Sequence, residues 1–160
     1  MNDKSYTFQA ADLTDTDRLG AALARALPDG VTVSLRGTLG AGKTRLVQAI
    51  AAACGMAPDE VVSPTFVLCQ HYYGAREIDH LDAYRLAGED EFLQLGVEEL
   101  FAAPSLTIVE WGDRVAGCLP PQRVEIDIRI TGETGREFQI TGRGEALATT
   151  IEALRAALDA

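Results

Sequence analysis

Apolar and polar positions follow two distinct periods along this chain, and the changes of period mark its elements. Tyr6 and Phe8 alternate with polar neighbours, which predicts a short edge strand. Between Asp15 and Leu27 the apolar residues Leu19, Leu23, Ala26 and Leu27 recur at helical spacing. Thr14 or Asp15 is placed to cap that helix, and Pro28-Asp29-Gly30 to end it. Val31 to Leu35 is a compact run rich in β-branched residues, the pattern of a buried strand. A glycine-rich turn follows. Helical spacing then returns from Thr44 to Cys54 through Leu46, Val47, Ile50 and Ala51, and stops before Gly55.

The middle of the chain is less regular. Phe66 to Tyr73 predicts a strand, Gly74 a turn, and Glu77 to Leu81 another strand. The acidic stretch Glu89 to Leu100 predicts one or two short helices, and the apolar run Leu106 to Val109 ends in Glu110-Trp111. Val124, Ile126, Ile128 and Ile130 alternate strictly with polar residues, as in a half-exposed strand. A turn from Gly132 to Gly135 then leads into Arg136 to Thr141, which predicts an antiparallel hairpin. Glu145 to Leu158 closes the chain as an Ala/Leu-rich helix. Helix and strand patterns alternate early and strands cluster late, so a mixed sheet flanked by helices is expected.

Composition narrows the function classes. The net charge is −10, and only Lys4 and Lys43 are lysines; the twelve arginines are scattered. A protein that gripped tRNA or a duplex by itself would need a basic face to displace counterions. Any nucleic acid is therefore expected to be reached through partners. Cys54, Cys69 and Cys118 are an odd number without metal-ligand spacing, which suits small core residues in a reducing compartment. The opening MNDKSYTF has no apolar run, and apolar stretches elsewhere are strand-sized. A cytoplasmic protein with no membrane contact is expected.

The chemistry is concentrated in the glycine-rich turn. Gly37-Thr38-Leu39-Gly40-Ala41-Gly42-Lys43-Thr44 satisfies G-x-x-x-x-G-K-[ST], with a strand pattern before it and a helix pattern after. Glycines let successive backbone N–H groups turn toward phosphate oxygens, and the following helix adds its positive end. Lys43 is the expected contact to the β- and γ-phosphates, and the Thr44 hydroxyl is the expected Mg²⁺ ligand. The cofactors implied are ATP and Mg²⁺. The fold class that follows is α/β: a P-loop NTPase-like mixed, partly parallel sheet flanked by helices, with a C-terminal antiparallel hairpin, in one domain over residues 1–160.

A P-loop also needs an acidic residue at the end of a neighbouring apolar strand to hold the metal. Glu110 ends Leu106-Thr107-Ile108-Val109, and Asp82 ends the alternating stretch from Glu77. Glu110 is assigned to the metal and Asp82 to the γ-phosphate or its attacking water; the other reading of Asp82 is a turn cap. Arg136, on the late hairpin, is either a residue flanking the nucleotide or a surface arginine.

These blocks carry a resemblance. GTLGAGKT, then Ser63-Pro64-Thr65-Phe66, then His80-Leu81-Asp82-Ala83-Tyr84-Arg85-Leu86, then Val109-Glu110-Trp111 resemble, in order and spacing, the TsaE (YjeE) family of small bacterial ATPases. The resemblance implies a role in making threonylcarbamoyladenosine beside the anticodon of tRNA, alongside TsaD, which carries the transferase chemistry, and its partner TsaB. The ATPase would drive or reset the TsaB–TsaD complex rather than touch the base. By the same resemblance Glu110 is the second magnesium ligand, and Thr65 is a switch residue that senses the γ-phosphate, or else a turn residue after Pro64. Tyr84 and Arg85 are either partner surface or a solvated strand end. Trp111 is read as packing in preference to nucleotide contact. Two positions depart from the family pattern: Thr38 stands where Asp is common, and Arg45 where a second Thr is frequent.

No Asn-Lys-x-Asp segment for reading guanine is present, so ATP is preferred partly by default and partly by resemblance. Two other classes stay open. A P-loop small-molecule or nucleoside kinase would carry an arginine-rich lid, yet Arg114 and Arg123 stand isolated. A nucleotide-dependent switch would bind ATP and hydrolyse little unaided.

Overall fold

The computed structural model describes residues 3–62 and 69–159. The chain enters through strand β1 (Lys4–Ala10) and helix α1 (Leu13–Ala26), then β2 (Thr32–Arg36) and α2 (Lys43–Ala53). After β3 (Cys69–Tyr72) and β4 (Ile78–Asp82) come two short helices, α3 (Glu89–Leu93) and α4 (Val97–Ala102). Strand β5 (Leu106–Glu110), the hairpin β6 (Arg123–Ile130) and β7 (Arg136–Arg143), and helix α5 (Ala148–Asp159) complete it. The strands form one sheet in the order β1-β7-β6-β2-β5-β4-β3.

Its centre is parallel: β2 pairs with β5 and β6, and β4 with β5. Both flanks are antiparallel, β6–β7–β1 on one side and β3 on β4 on the other. The mixed, partly parallel sheet and the C-terminal hairpin read from the sequence are therefore present. Strands β4 and β5 are buried at every position, and β2 at all but its last, as parallel strands covered on both faces must be. Among the described residues no helix is long and apolar enough to cross a membrane.

Several boundaries differ from those predicted. Helix α1 is capped by Asp12, whose carboxylate accepts the Asp15 N–H, while Asp15 accepts the Ala11 N–H at 2.9 Å. Neither Thr14 nor Asp15 is the cap, because the helix starts at Leu13, nearly two turns before its apolar stripe begins at Leu19. The last helix is preceded by a 3-10 turn over Glu145–Leu147, so α5 proper begins at Ala148. The strand predicted from Phe66 begins, among the described residues, at Cys69. Strand β6 is less exposed than its alternation implied. Glu125 is buried there and accepts from Arg143 Nε at 2.7 Å and Arg123 Nε at 2.9 Å. Burial alone would raise its pKa, but the two guanidinium bonds prevail and hold it below the usual carboxylate range.

Helix α1 lies directly on α2, the helix that presents the P-loop lysine. Gly20 makes this contact possible: a Cβ there would sit 2.4 Å from Ala49 Cβ and 2.7 Å from the Ala49 carbonyl carbon. Alanine in a helix is intrinsically worth about 1 kcal/mol over glycine, whereas forcing an atom into a packed backbone contact costs roughly 1–3 kcal/mol. Because the obstructing atoms include backbone, the clash should win. Gly20→Ala is expected to lower the thermal midpoint by several degrees, and a midpoint equal to or above the parent's would show that the helices separate freely.

Candidate nucleotide and metal site

The carboxyl ends of three adjacent parallel strands meet at one place. Leu35 near the end of β2 pairs with Glu110 at the end of β5, and Glu110 pairs with Asp82 at the end of β4. In open α/β sheets this is the crevice where ligands bind. The P-loop leaves β2 here and passes directly into α2. Its turn depends on glycine at Gly40 (φ 82°) and at Gly42 (φ 109°), the residue that caps α2. A side chain at either would be held in the left-handed region.

Lys43 points back along the loop. Its ammonium donates to the Gly37 carbonyl at 2.7 Å and the Thr38 carbonyl at 3.0 Å. Those bonds use two of its three protons and fix the head group, leaving one to reach a phosphate. Burial lowers its pKa, against the opposing pull of Glu110, Asp82 and Asp113. Thr44 follows on α2, its hydroxyl directed at the Glu110 carboxylate, with Oγ1 2.9 Å from Oε2 and 3.0 Å from Oε1. A hydroxyl and carboxylates on strand ends are hard oxygen donors, the set that suits Mg²⁺. Asp82 lies beside them, almost fully buried, with Oδ1 accepting the Tyr84 N–H at 2.8 Å. A cavity of about 470 Å³ is bounded by Lys43, Thr44, Asp82, Tyr84, Glu110 and Trp111 among others.

Trp111 packs, as the sequence leads one to expect, and one of its partners is the P-loop lysine. Its ring centroid lies 3.9 Å from Lys43 Nζ and 4.9 Å from the Tyr84 ring. Among the described residues it is the only non-glycine with positive φ (60°). Such a conformation costs on the order of 1–3 kcal/mol and collects at functional sites. It folds the chain back immediately after Glu110, so that the indole covers the lysine. Tyr84 and Arg85, read as surface, line this same cavity.

Arg136 reaches across from β7. Its Nε donates to the Ala41 carbonyl at 2.9 Å, and its Nη1 to the Gly135 carbonyl at 2.7 Å. It braces the P-loop, and it lines a second cavity of about 640 Å³ between the start of α1 and the β6–β7 turn. That cavity shares Gly40, Gly42 and Arg45 with the first. Thr65 and the rest of the SPTF block lie outside the described residues.

Two side chains that the sequence reading gave no role stand behind Glu110, outside the cavity lining. His80, with no exposed surface, places Nε2 2.5 Å from Glu110 Oε2. The Tyr72 hydroxyl lies 3.0 Å from His80 Nδ1. Burial pushes the Tyr72 phenol up to about 12, so it keeps its proton. The only signal in the sequence was the position of His80 two residues before Asp82, which puts both on one face of a strand.

A family model described as "Threonylcarbamoyl adenosine biosynthesis protein TsaE" matches residues 10–138. The chain belongs to the TsaE family. Curated relatives of this TsaE-family chain carry the name tRNA threonylcarbamoyladenosine biosynthesis protein TsaE. The one from Treponema pallidum is 38% identical over 79% of this chain and 93% of its own length. The Bacillus subtilis relative is 31% identical over 94% of each. The one from Synechocystis is 42% identical over 72% of this chain and 75% of its own. The crystal structure of Bacillus subtilis YdiB superposes with a TM-score of 0.81 at 25% identity, covering 98% of this chain and 97% of that one. The TsaE resemblance read from the four sequence blocks is thus matched over most of the chain, and the P-loop described above lies inside the matched region.

Proposed function

We propose that this TsaE-family chain is an Mg²⁺-dependent ATPase that serves threonylcarbamoyladenosine modification of tRNA by driving or resetting a TsaB–TsaD complex. The observation that carries the reading is the convergence of Lys43, Thr44 and Glu110 on one cavity at the ends of the parallel strands. In this reading the loop amides and Lys43 hold the β- and γ-phosphates, and Thr44 and Glu110 hold the metal. Bound Mg²⁺ would supply charge neutralisation at the phosphate oxygens. Asp82 orients water near the γ-phosphate, and Thr65 senses that phosphate. The base and ribose take the second cavity, where exposed Leu13 offers apolar surface beside Arg136. A net charge of −10 supports contact with tRNA through partners rather than directly. Hydrolysis by the chain alone is weak and rises with the partners present.

The deciding experiment is reconstitution of tRNA modification from TsaB, TsaD, threonylcarbamoyl-AMP and ATP, with and without this protein. Stimulation that disappears when the P-loop is disabled supports the reading. Phosphate transfer to a small acceptor, with no effect on tRNA, would favour the kinase instead.

Trp111 gives a direct binding signal. It is the only tryptophan, and its ring rests on the ammonium that phosphate must approach. Titration with a non-hydrolysable ATP analogue is expected to change intrinsic fluorescence saturably, with no change in Trp111→Phe. A flat titration where calorimetry reports binding would place the phosphates away from Lys43.

A further inference from the structure

We propose that His80 is a positioning residue for the metal ligand Glu110, held in turn by Tyr72, so that edge strand β3 is connected through the sheet to helix α2. The inference rests on the reading of Glu110 as a metal ligand. Strand register makes the chain of contacts. Gln70 pairs with His80, and Tyr72 with Ile78; His80 pairs with Ile108, and Asp82 with Glu110. Tyr72 and His80 are therefore diagonal neighbours across β3 and β4, and His80 and Glu110 across β4 and β5. Diagonal pairs on one face are within reach of long side chains. Thr44 of α2 closes the row on that face.

The chemistry sets the order of donors. The Glu110 carboxylate only accepts, so Nε2 of His80 carries the proton directed at Oε2. On the other side Nδ1 faces the Tyr72 hydroxyl, which is also within reach of the Gln70 side-chain oxygen (3.1 Å) and the Val62 carbonyl (3.3 Å). Glu110 thus takes hydrogen bonds from two elements, His80 in the sheet and Thr44 on the helix, and its carboxylate plane is fixed before any cation arrives. A histidine placed only to fill the core would not need to meet the metal-ligand carboxylate with one nitrogen and a buried phenol with the other. Groups that orient a metal ligand in this way typically govern affinity by about 10–100-fold.

The test measures Mn²⁺ affinity by electron paramagnetic resonance on the full chain loaded with AMP-PNP, and AMP-PNP affinity without metal by calorimetry. His80→Asn is too short to reach Glu110 and is expected to weaken Mn²⁺ binding about 10–100-fold, with metal-free AMP-PNP affinity unchanged. His80→Gln, whose amide can reach the Nε2 position, should recover Mn²⁺ affinity to near the parent's. Tyr72→Phe, which removes one hydroxyl and keeps the ring, should weaken Mn²⁺ several-fold, and it carries the test if His80→Asn does not fold. If the parent binds Mn²⁺ and the folded variants match it, the positioning role is wrong while the site stands. Equal losses in His80→Gln and His80→Asn, or losses shared by the metal-free affinity, would likewise overturn it as mere core damage. If the parent gains nothing from Mn²⁺, the metal-site reading fails first and this inference with it.

Discussion

Lys43→Ala is expected to weaken ATP binding by at least about 100-fold and to abolish turnover, while leaving the fold intact. The magnitude comes from what the ammonium does in place. Charge-assisted hydrogen bonds contribute roughly 1.5–3 kcal/mol each, and this one forms where water is largely excluded, since Lys43 is only 5% exposed. Losing a phosphate contact of that kind and the Coulomb attraction to a triphosphate together reaches about 2.8 kcal/mol, the amount that corresponds to a factor of about 100. A second loss adds to it. The Gly37 and Thr38 carbonyls would lose their donor, and the loop that presents the amides would relax. Calorimetry with AMP-PNP measures the binding arm and phosphate release the turnover arm. ATP binding within about threefold of the parent would remove the P-loop from the explanation altogether.

Glu110→Gln should separate binding from metal dependence. The amide keeps the shape of the side chain and can still accept from Thr44 and His80, but it brings no charge. Nucleotide affinity without Mg²⁺ is expected to stay the same or improve, because one carboxylate near the phosphates has been neutralised. The gain in affinity on adding Mg²⁺ should disappear, and turnover should fall on the order of 100-fold, the scale seen when an electrostatic group is removed from a preorganised site. Thermal stability should not fall, since Glu110 is 3% exposed and an ionised group so buried costs desolvation energy. Calorimetry at two Mg²⁺ concentrations, with a melting curve, reads all three. A variant that retained full Mg²⁺-dependent turnover would move the metal to Asp82, the other carboxylate on the strand ends.

What was legible in the sequence depended on the kind of information each feature needs. The P-loop could be read because its conformation is set locally: Gly40 and Gly42 supply positive φ wherever such a segment joins a strand to a helix. That Glu110 and Asp82 stand at strand ends could be read because one closes an apolar run and the other an alternating one, and parallel strands bring their ends together. The parallel core and late hairpin followed from where the periods change. The His80–Tyr72 arrangement was not legible, because it arises from the register of three strands, and periodicity says nothing about how one strand slides against another. The packing partner of Trp111 was not legible for a related reason. No local preference calls for a tryptophan at φ 60°, so its ring direction is decided by the chain reversal after β5. The cap of α1 was missed: Thr14 and Asp15 were the candidates, but Asp is an equally competent cap wherever it falls, and tertiary placement put the start at Asp12.

The pairing of β1 with β7 runs from Lys4 against Gly142 to Ala10 against Arg136. At a synthesis rate of about 5–20 residues per second, roughly 6 to 28 seconds separate the making of one partner from the other. During that time the central strands and the phosphate loop can assemble, but the first strand cannot dock. Tyr6 and Phe8 stay in water until the hairpin has left the ribosome. Pairing so remote in sequence also slows refolding of the finished chain. A strand made long before its partner is therefore among the last to find its place, and its apolar side chains need shielding in the nascent protein.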